Sequence, residues 1–378
     1  MINRSFLYII SWCIYHMQGG FLPRGLPAMK ILCFVLLLIS FRHFIIVNLR
    51  FKLPQYFIGL NILIGMFLFY GLLSLVGVTT HPLSEEYLKS ILISLLPIYS
   101  FYFYSKSQFI SEKNICQYIA VFFVFAFLKF YGVVYSMSLL EMSRGIDFTN
   151  NAGYLFLPLV AASAFLYKKK ILQYLLLCAC LVISIESSKR GAIITCFFAL
   201  GWFLINYLKG KSLKMKLGAT LIFLLLCSIG YLAFERHFSE SYAFQRKIQD
   251  LQDGGGSGRD YLYQTLSNHF FYETTPLHFI FGSGANATVS ISNQYAHNDW
   301  LEIAVNQGMF GLLVYILYWI LFFKECRNKT LSPQAKLALQ LLFVVYFMKT
   351  IFSMSYGSMA TSATFILGYC LAQEKTDA

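Results

Sequence analysis

Apolar residues run along this chain in long unbroken blocks divided by short polar stretches, not in the one-sided stripe of a surface helix. Twelve blocks have the continuity of membrane helices, at approximately 5–18, 31–48, 56–78, 87–104, 115–138, 152–167, 171–186, 192–208, 217–234, 300–323, 337–353 and 358–372. A helix needs roughly 20 apolar residues to cross a hydrocarbon core of about 30 Å, and about 17 suffice where the bilayer thins. As one helix, residues 171–208 would reach about 57 Å at about 1.5 Å per residue, nearly twice that core. The run must therefore break, and the polar segment Glu186–Gly191 is the break. The first block has the length of a signal-peptide core, but no A-x-A-like site follows it, so it is expected to be a short first span.

One long polar interval, 235–299, interrupts the blocks. Within it Tyr242, Phe244, Ile248 and Leu251 fall on a partly helical spacing, and the glycine-rich run 253–258 ends that segment. A second helix is expected to start at Arg259, where Ser257 and Asp260 have capping-box spacing and Leu262, Leu266 and Phe270 mark one face. A proline-started helical turn at Pro276 should then close at Gly282 and Gly284. The chain thus divides into nine spans (1–234), a cap of interfacial helices over an outward cavity (235–299), and three further spans (300–378). No internal repeat suggests two inverted halves, which weakens a secondary-transporter reading.

Composition agrees with an all-α polytopic membrane protein. Of 378 residues, 58% are hydrophobic and only 12% charged, against about a quarter charged in soluble domains. The mean hydropathy is +0.62. The formal charge of +13 is spread over many short loops, which argues against a nucleic-acid partner and for topogenic signals. With the N-terminus inside, the basic clusters at Arg50/Lys52, Lys106/Lys113, Lys168–Lys170, Lys209–Lys216 and Lys324–Lys336 all fall in inner loops. Both termini are then cytoplasmic and residues 235–299 face outward. Eight cysteines lie in apolar runs and Cys326 in a short basic loop, so they are expected to be small buried hydrophobes, not bridges or metal ligands.

Against that background a few polar residues stand out. Lys189 and Arg190 form a basic pair on the outward side, where topogenic bias would not put one. Arg190 also opens a helix, so a guanidinium fork and free N–H groups could face one anion. Arg259 repeats the arrangement after its glycine-rich loop. His297 begins a polar step that runs into an apolar span, and its ordinary pKa of about 6.5 suits it to accept a proton near neutrality. An interfacial histidine is, however, as often a hydrogen-bonded structural group. Asp299 and Glu302 follow closely and could orient the ring, and Asp299 could also contact substrate or act as a helix-start dipole partner. Lys129 lies inside the fifth span, where an ionisable residue is a functional candidate; Lys349, near the outer end of the eleventh, is expected to snorkel. Tyr242, Tyr261, Tyr263, Tyr272 and Tyr295 could line a sugar groove or serve as interfacial belt anchors. No H-x-H, D-x-D or Cys/His cluster of metal-site spacing occurs, so neither metal nor cofactor is expected.

Four segments together resemble the bacterial O-antigen ligase and O-antigen polymerase superfamily: SSKRGAI (187–193), GSGRDYLY (256–263), FGSGA (281–285) and HNDWLEIAVNQGMFG (297–311). The last is the most specific, with H-N-x-x-L and then G-x-x-G beginning at Gly308. The resemblance implies a mainly helical, C-type membrane glycosyltransferase that takes its glycan from undecaprenyl diphosphate at the periplasmic face of the bacterial inner membrane. It implies no metal and no soluble nucleotide sugar. Residue by residue, Arg190 and Arg259 match the arginines that hold the diphosphate leaving group, and His297 matches the essential histidine that activates the acceptor hydroxyl. Lys189 stands where serine often precedes the arginine, and an added cation suits a diphosphate. A preorganised arginine pair can stabilise the departing charge where other glycosyltransferases use a metal. Lys189, Asp299 and Lys129 are weaker substrate-binding candidates.

Within that superfamily the acceptor is a second glycan for an O-antigen or capsule repeat-unit polymerase, or lipid A-core for a ligase; a third branch glycosylates proteins. Short outer loops, one compact cap and no appended soluble domain favour the polymerase, narrowly over the ligase. Membrane lipids and other polysaccharide-assembly proteins are the remaining expected partners. The rival from another class, a non-enzymatic polysaccharide flippase or transporter, shares the span count but does not call for an Arg and His constellation in an outer cap.

Overall fold

The computed structural model describes residues 4–23, 25–79, 81, 84–144, 151–187, 189–218, 221, 228, 232 and 259–373. Its helices are α1 (Arg4–His16), α2 (Pro27–Arg50), α3 (Gln55–Leu75), α4 (Ser84–Leu95), α5 (Pro97–Lys106) and α6 (Ile115–Arg144). A 3₁₀ turn at Asn151–Leu155, α7 (Leu157–Ala162), α8 (Lys170–Glu186) and α9 (Arg190–Tyr207) come next. After the undescribed stretch follow α10 (Arg259–Asn268), α11 (Pro276–Phe281), α12 (Ala287–Ser292), α13 (Asp299–Cys326), α14 (Pro333–Phe352) and α15 (Thr361–Ala372). Among the described residues the only β pairing is an isolated bridge between Gln18 and Leu22. This is an all-α polytopic membrane protein.

Among the described residues, seven helices are long and apolar enough to cross a membrane: Pro27–Arg50, Gln55–Leu75, Glu86–Lys106, Ile115–Ser136, Arg190–Tyr207, Asp299–Cys326 and Pro333–Phe352. Other blocks that sequence makes spans form shorter pieces. α1 has 13 residues, α8 has 17 and α15 has 12, while 151–166 is a chain of short helical turns. Block length therefore overstates crossing length, because a helix enclosed by others can be apolar all round without meeting lipid. α15 illustrates this: every residue from Ser362 to Ala372 is buried. Its Gly368 lies directly against Phe101 and Tyr102 of α5. The break between α8 and α9 falls where expected, but most of the block 217–234 lies outside the described residues.

A second close approach joins α3 to α13. At Gly59 a Cβ would stand 3.2 Å from the Tyr318 backbone and from Leu321, and one turn away Tyr56 stacks edge-on against Phe322. The described part of the cap rests on the start of α13. Leu262, Leu266 and Phe270 are buried with Ala304 and Val305, as the helical spacing predicts. Thr275 caps α11 by accepting from His278 N–H, and Gly282 ends it with φ +79°. The expected helix through 238–251, the glycine-rich turn and Ser257 lie outside the described residues. Of the eight cysteines described, all are free, Cys13, Cys33, Cys180, Cys196, Cys326 and Cys370 are buried, and Cys178 is exposed.

Candidate functional site

The start of α13 is built around two buried carboxylates. Asn298 caps the helix, its side chain accepting from the N–H groups of Trp300 (3.0 Å) and Leu301 (3.2 Å). Glu302, fully buried, accepts from Ala296 N–H (2.7 Å), the Thr288 hydroxyl (2.5 Å) and the Asn306 amide (3.0 Å). It thereby ties α12 and the loop segment before His297 to α13. Asp299, equally buried, accepts from Ser355 N–H (2.9 Å), from the Ser355 hydroxyl and from Tyr315 (2.6 Å). These bonds anchor the loop between α14 and α15. Both carboxylates thus position the backbone that carries His297, and the described bonds they accept come from groups other than its imidazole.

Glycines allow two backbones to meet beside this scaffold. Gly308 interrupts α13 at φ +69° and ψ −165°. A Cβ there would stand 2.4 Å from Gly282 N, and one on Gly282 would stand 2.3 Å from Asn306 O. Across this contact Ser283 N–H donates to Val305 O and Gly284 N–H to Asn306 O, both at 2.9 Å. The Tyr70 hydroxyl donates to Phe281 O, and His81 reaches Ser290 (2.7 Å) and Ser283 O (2.8 Å). The FGSGA and NQGMFG segments are therefore two halves of one packed junction.

His297 stands on this platform with φ +53°, a left-handed conformation uncommon for residues other than glycine and a sign of a surrounding structure that dictates it. The residue as a whole is exposed. Partial burial and then the charges of Arg259 and Lys189 hold its pKa below the ordinary histidine value, so the neutral imidazole dominates near neutrality. Those two cations reach it from different elements. Lys189 is the N-cap residue of α9 and Arg190 its first residue. Arg259 opens α10 and donates to Phe352 O at the end of α14 (3.4 Å). Arg190 is exposed. Sequence-distant basic residues thus gather with the imidazole at the N-terminus of an 18-residue helix.

Two further residues belong to this neighbourhood. Tyr154, 8% exposed, has no hydrogen-bond partner for its hydroxyl, and a Cβ on Gly191 would stand 2.3 Å from that oxygen. Gly191 is therefore small so that the Tyr154 hydroxyl can reach the first turn of α9. Sequence reasoning missed Tyr154 because it opens an apolar block; the only hint was the glycine on each side of the contact, Gly153 and Gly191. Lys349 does not snorkel. It is 6% exposed, and its ammonium donates to Ser358 O (3.0 Å) and Oγ (2.8 Å) while lying 5.4 Å from the Tyr154 ring centre. The α14–α15 loop folds over it and supplies the oxygens that water would otherwise provide.

Lys129 is placed elsewhere, on the wall of a cavity that it shares with His16, Glu86 and Lys89. Of the cap tyrosines, Tyr261 and Tyr272 are exposed and Tyr263 and Tyr295 half-buried, and Tyr242 lies outside the described residues. Among the described residues no three His, Cys, Asp or Glu side chains are grouped to hold a metal ion.

Residues 173–316 match the O-antigen ligase family model. That stretch, less than half of the chain, takes in Lys189, Arg190, Arg259, His297 and α13 as far as Ile316, and over it the chain is similar to the O-antigen ligase and polymerase superfamily. The activity that the family indicates is glycosyl transfer of the O-antigen ligase or polymerase type, with a lipid-linked glycan as donor. No curated protein matches the chain significantly.

Proposed function

We propose that the protein transfers a glycan from undecaprenyl diphosphate to an acceptor hydroxyl at the periplasmic face of the inner membrane, with both termini in the cytoplasm, and that it needs no metal. The observation that carries this reading is the gathering of Arg259, Lys189 and an uncharged-leaning His297 beside the N-terminus of α9. A diphosphate is an anion that such a group of cations beside a helix N-terminus can bind. The acceptor oxygen attacks the anomeric carbon as its proton passes to the neutral imidazole. The C–O bond to the diphosphate breaks, and the bonding pair leaves with the diphosphate, held by the guanidinium groups of Arg190 and Arg259.

Within this reading the acceptor is a second lipid-linked repeat unit, as for an O-antigen or capsule polymerase, on the sequence grounds of short outer loops and one compact cap. The alternative acceptor is lipid A-core. In reconstituted protein with native lipid-linked glycan, Arg190→Ala or Arg259→Ala should cut turnover about 10²–10³-fold, with excess chelator harmless to the wild type. His297→Ala should lose transfer while retaining donor binding. Near wild-type turnover in both arginine variants would overturn the diphosphate site. In cells, a disabled polymerase still lets single repeat units reach the surface, whereas a disabled ligase leaves long chains on the carrier.

A further inference from the structure

A cavity of about 480 Å³ adjoins the cationic cluster. Ser358, which holds the Lys349 ammonium, and Leu155, next to Tyr154, both line it. Through Ser358 and the Lys349 ammonium that it holds, and through Leu155 beside Tyr154, the cavity connects to the residues around the first turn of α9. The remaining walls come from α4, where Glu86, Lys89, Ser90 and Ser94 follow one helical face, and from α6, where Phe122, Phe125 and Lys129 do the same. The end of α1 and the α14–α15 loop complete the enclosure.

The lining sets charged and hydroxyl-bearing side chains beside apolar ones. Charged side chains within membrane helices are costly unless they face a polar occupant or water, and here Lys89, Lys129 and Glu86 face one space. Serine and threonine hydroxyls both donate and accept, and Ser90, Ser94, Thr361 and Ser362 offer several of them. Phenylalanine rings on the opposite wall can cover the apolar face of a pyranose. Two lysines against one glutamate add a preference for negative charge. The volume is in the range of about 300–1,000 Å³ usual for ligand sites.

We propose that this cavity is a glycan subsite that holds a sugar segment bearing a carboxylate or phosphate, with Lys89 and Lys129 as its anion contacts. The proposal rests on the glycosyl-transfer reading above. It gives Lys129 a role toward the sugar in place of the one toward the lipid diphosphate that sequence suggests. The acidic segment could belong to the donor glycan or to the acceptor, and the substrate whose KM responds identifies which.

The test uses full-length protein in nanodiscs with the native lipid-linked glycan. Lys89→Gln with Lys129→Gln should raise the KM of one substrate about tenfold or more, the effect of losing a charge-assisted hydrogen bond. Ala126→Trp, which fills the space, should do the same. Stabilisation against heat by inorganic pyrophosphate, which reads the arginine side, should remain as in the wild type for all of these variants. Unchanged KM in the double-lysine variant overturns the subsite. So does equal loss of wild-type activity when anionic phospholipid is left out of the nanodisc, because the cavity would then be taking a lipid headgroup. Failure of the diphosphate reading has a different signature: wild-type pyrophosphate stabilisation in Arg259→Ala.

Discussion

Two groups of charged residues lie within a few turns of each other at one end of the helix bundle, and they are treated in opposite ways. Asp299 and Glu302 are fully buried and accept hydrogen bonds from Ser355, Tyr315, Ala296, Thr288 and Asn306. Lys189 and Arg259 are partly exposed and Arg190 is exposed, and the first two act against protonation of His297. The carboxylates lower the free energy of the folded chain by satisfying buried donors that could find no water. The cations bring positive charge to the neighbourhood of one imidazole, an arrangement suited to binding an anion. The acidic residues of the His-Asn-Asp motif therefore make the platform, and the basic residues from two other elements make up the proposed diphosphate site.

That contrast predicts opposite failures. Glu302→Ala should leave the Ala296 N–H and the Thr288 and Asn306 donors buried without an acceptor, at about 1–3 kcal/mol for each group left unmet. The protein should lose thermal stability sharply, and its activity should fall with the folded fraction. Arg259→Ala should leave the melting temperature near that of the wild type while removing transfer. Equal melting temperatures for Glu302→Ala and the wild type would erase the division of labour.

Much of this was legible in sequence. The break at Glu186–Gly191, the helix start at Arg259 with its Leu262 face, and the Pro276–Gly282 turn depend on local chemistry, and local chemistry is what sequence spacing encodes. Nearby carboxylates were legible as residues but not as roles, because Asp299 finds its partners in Ser355 and Tyr315, respectively 56 and 16 residues away. Lys349 was misread for the same reason: the loop oxygens that hold it at Ser358 come from a segment that folds back over it. Several apolar blocks form helices shorter than a full span among the described residues, because continuous hydrophobicity does not distinguish lipid from a protein interior. Tyr154 was invisible, since nothing in an apolar block marks one hydroxyl as facing a helix N-terminus.

Tyr154 sharpens the comparison because it is buried like the scaffold yet unsatisfied, while its ring faces Lys349. If its hydroxyl donates to the diphosphate bound at the first turn of α9, Tyr154→Phe should raise the donor KM about tenfold. Stability without substrate should be unchanged or slightly higher, because a buried donor without a partner has been removed. A scaffold role predicts the reverse, with lower stability and an unaltered KM, so melting curves and a donor titration on the same preparation separate the two.

The smallest effect tests the field within the cluster. The His297 pKa lies below its ordinary value first through burial and then through Arg259 and Lys189. As a base, His297 works in its neutral form, so kcat/KM should fall as pH drops through that lowered value. Lys189→Gln removes one positive neighbour and makes protonation easier, which moves the acid limb toward higher pH. Burial and Arg259 persist, so the limb should move only part of the way back toward an ordinary histidine. The same sign applies to folding. An unfolded chain binds the proton more readily than the folded one between the lowered value and about 6.5, so this group's contribution favours the folded state less as pH falls through that window. In Lys189→Gln the window should narrow from its acid side. A pH profile with the limb unmoved, at whatever plateau the variant retains, would place Lys189 outside the electrostatic reach of the imidazole and leave Arg259 as the only cation acting on it from the described residues.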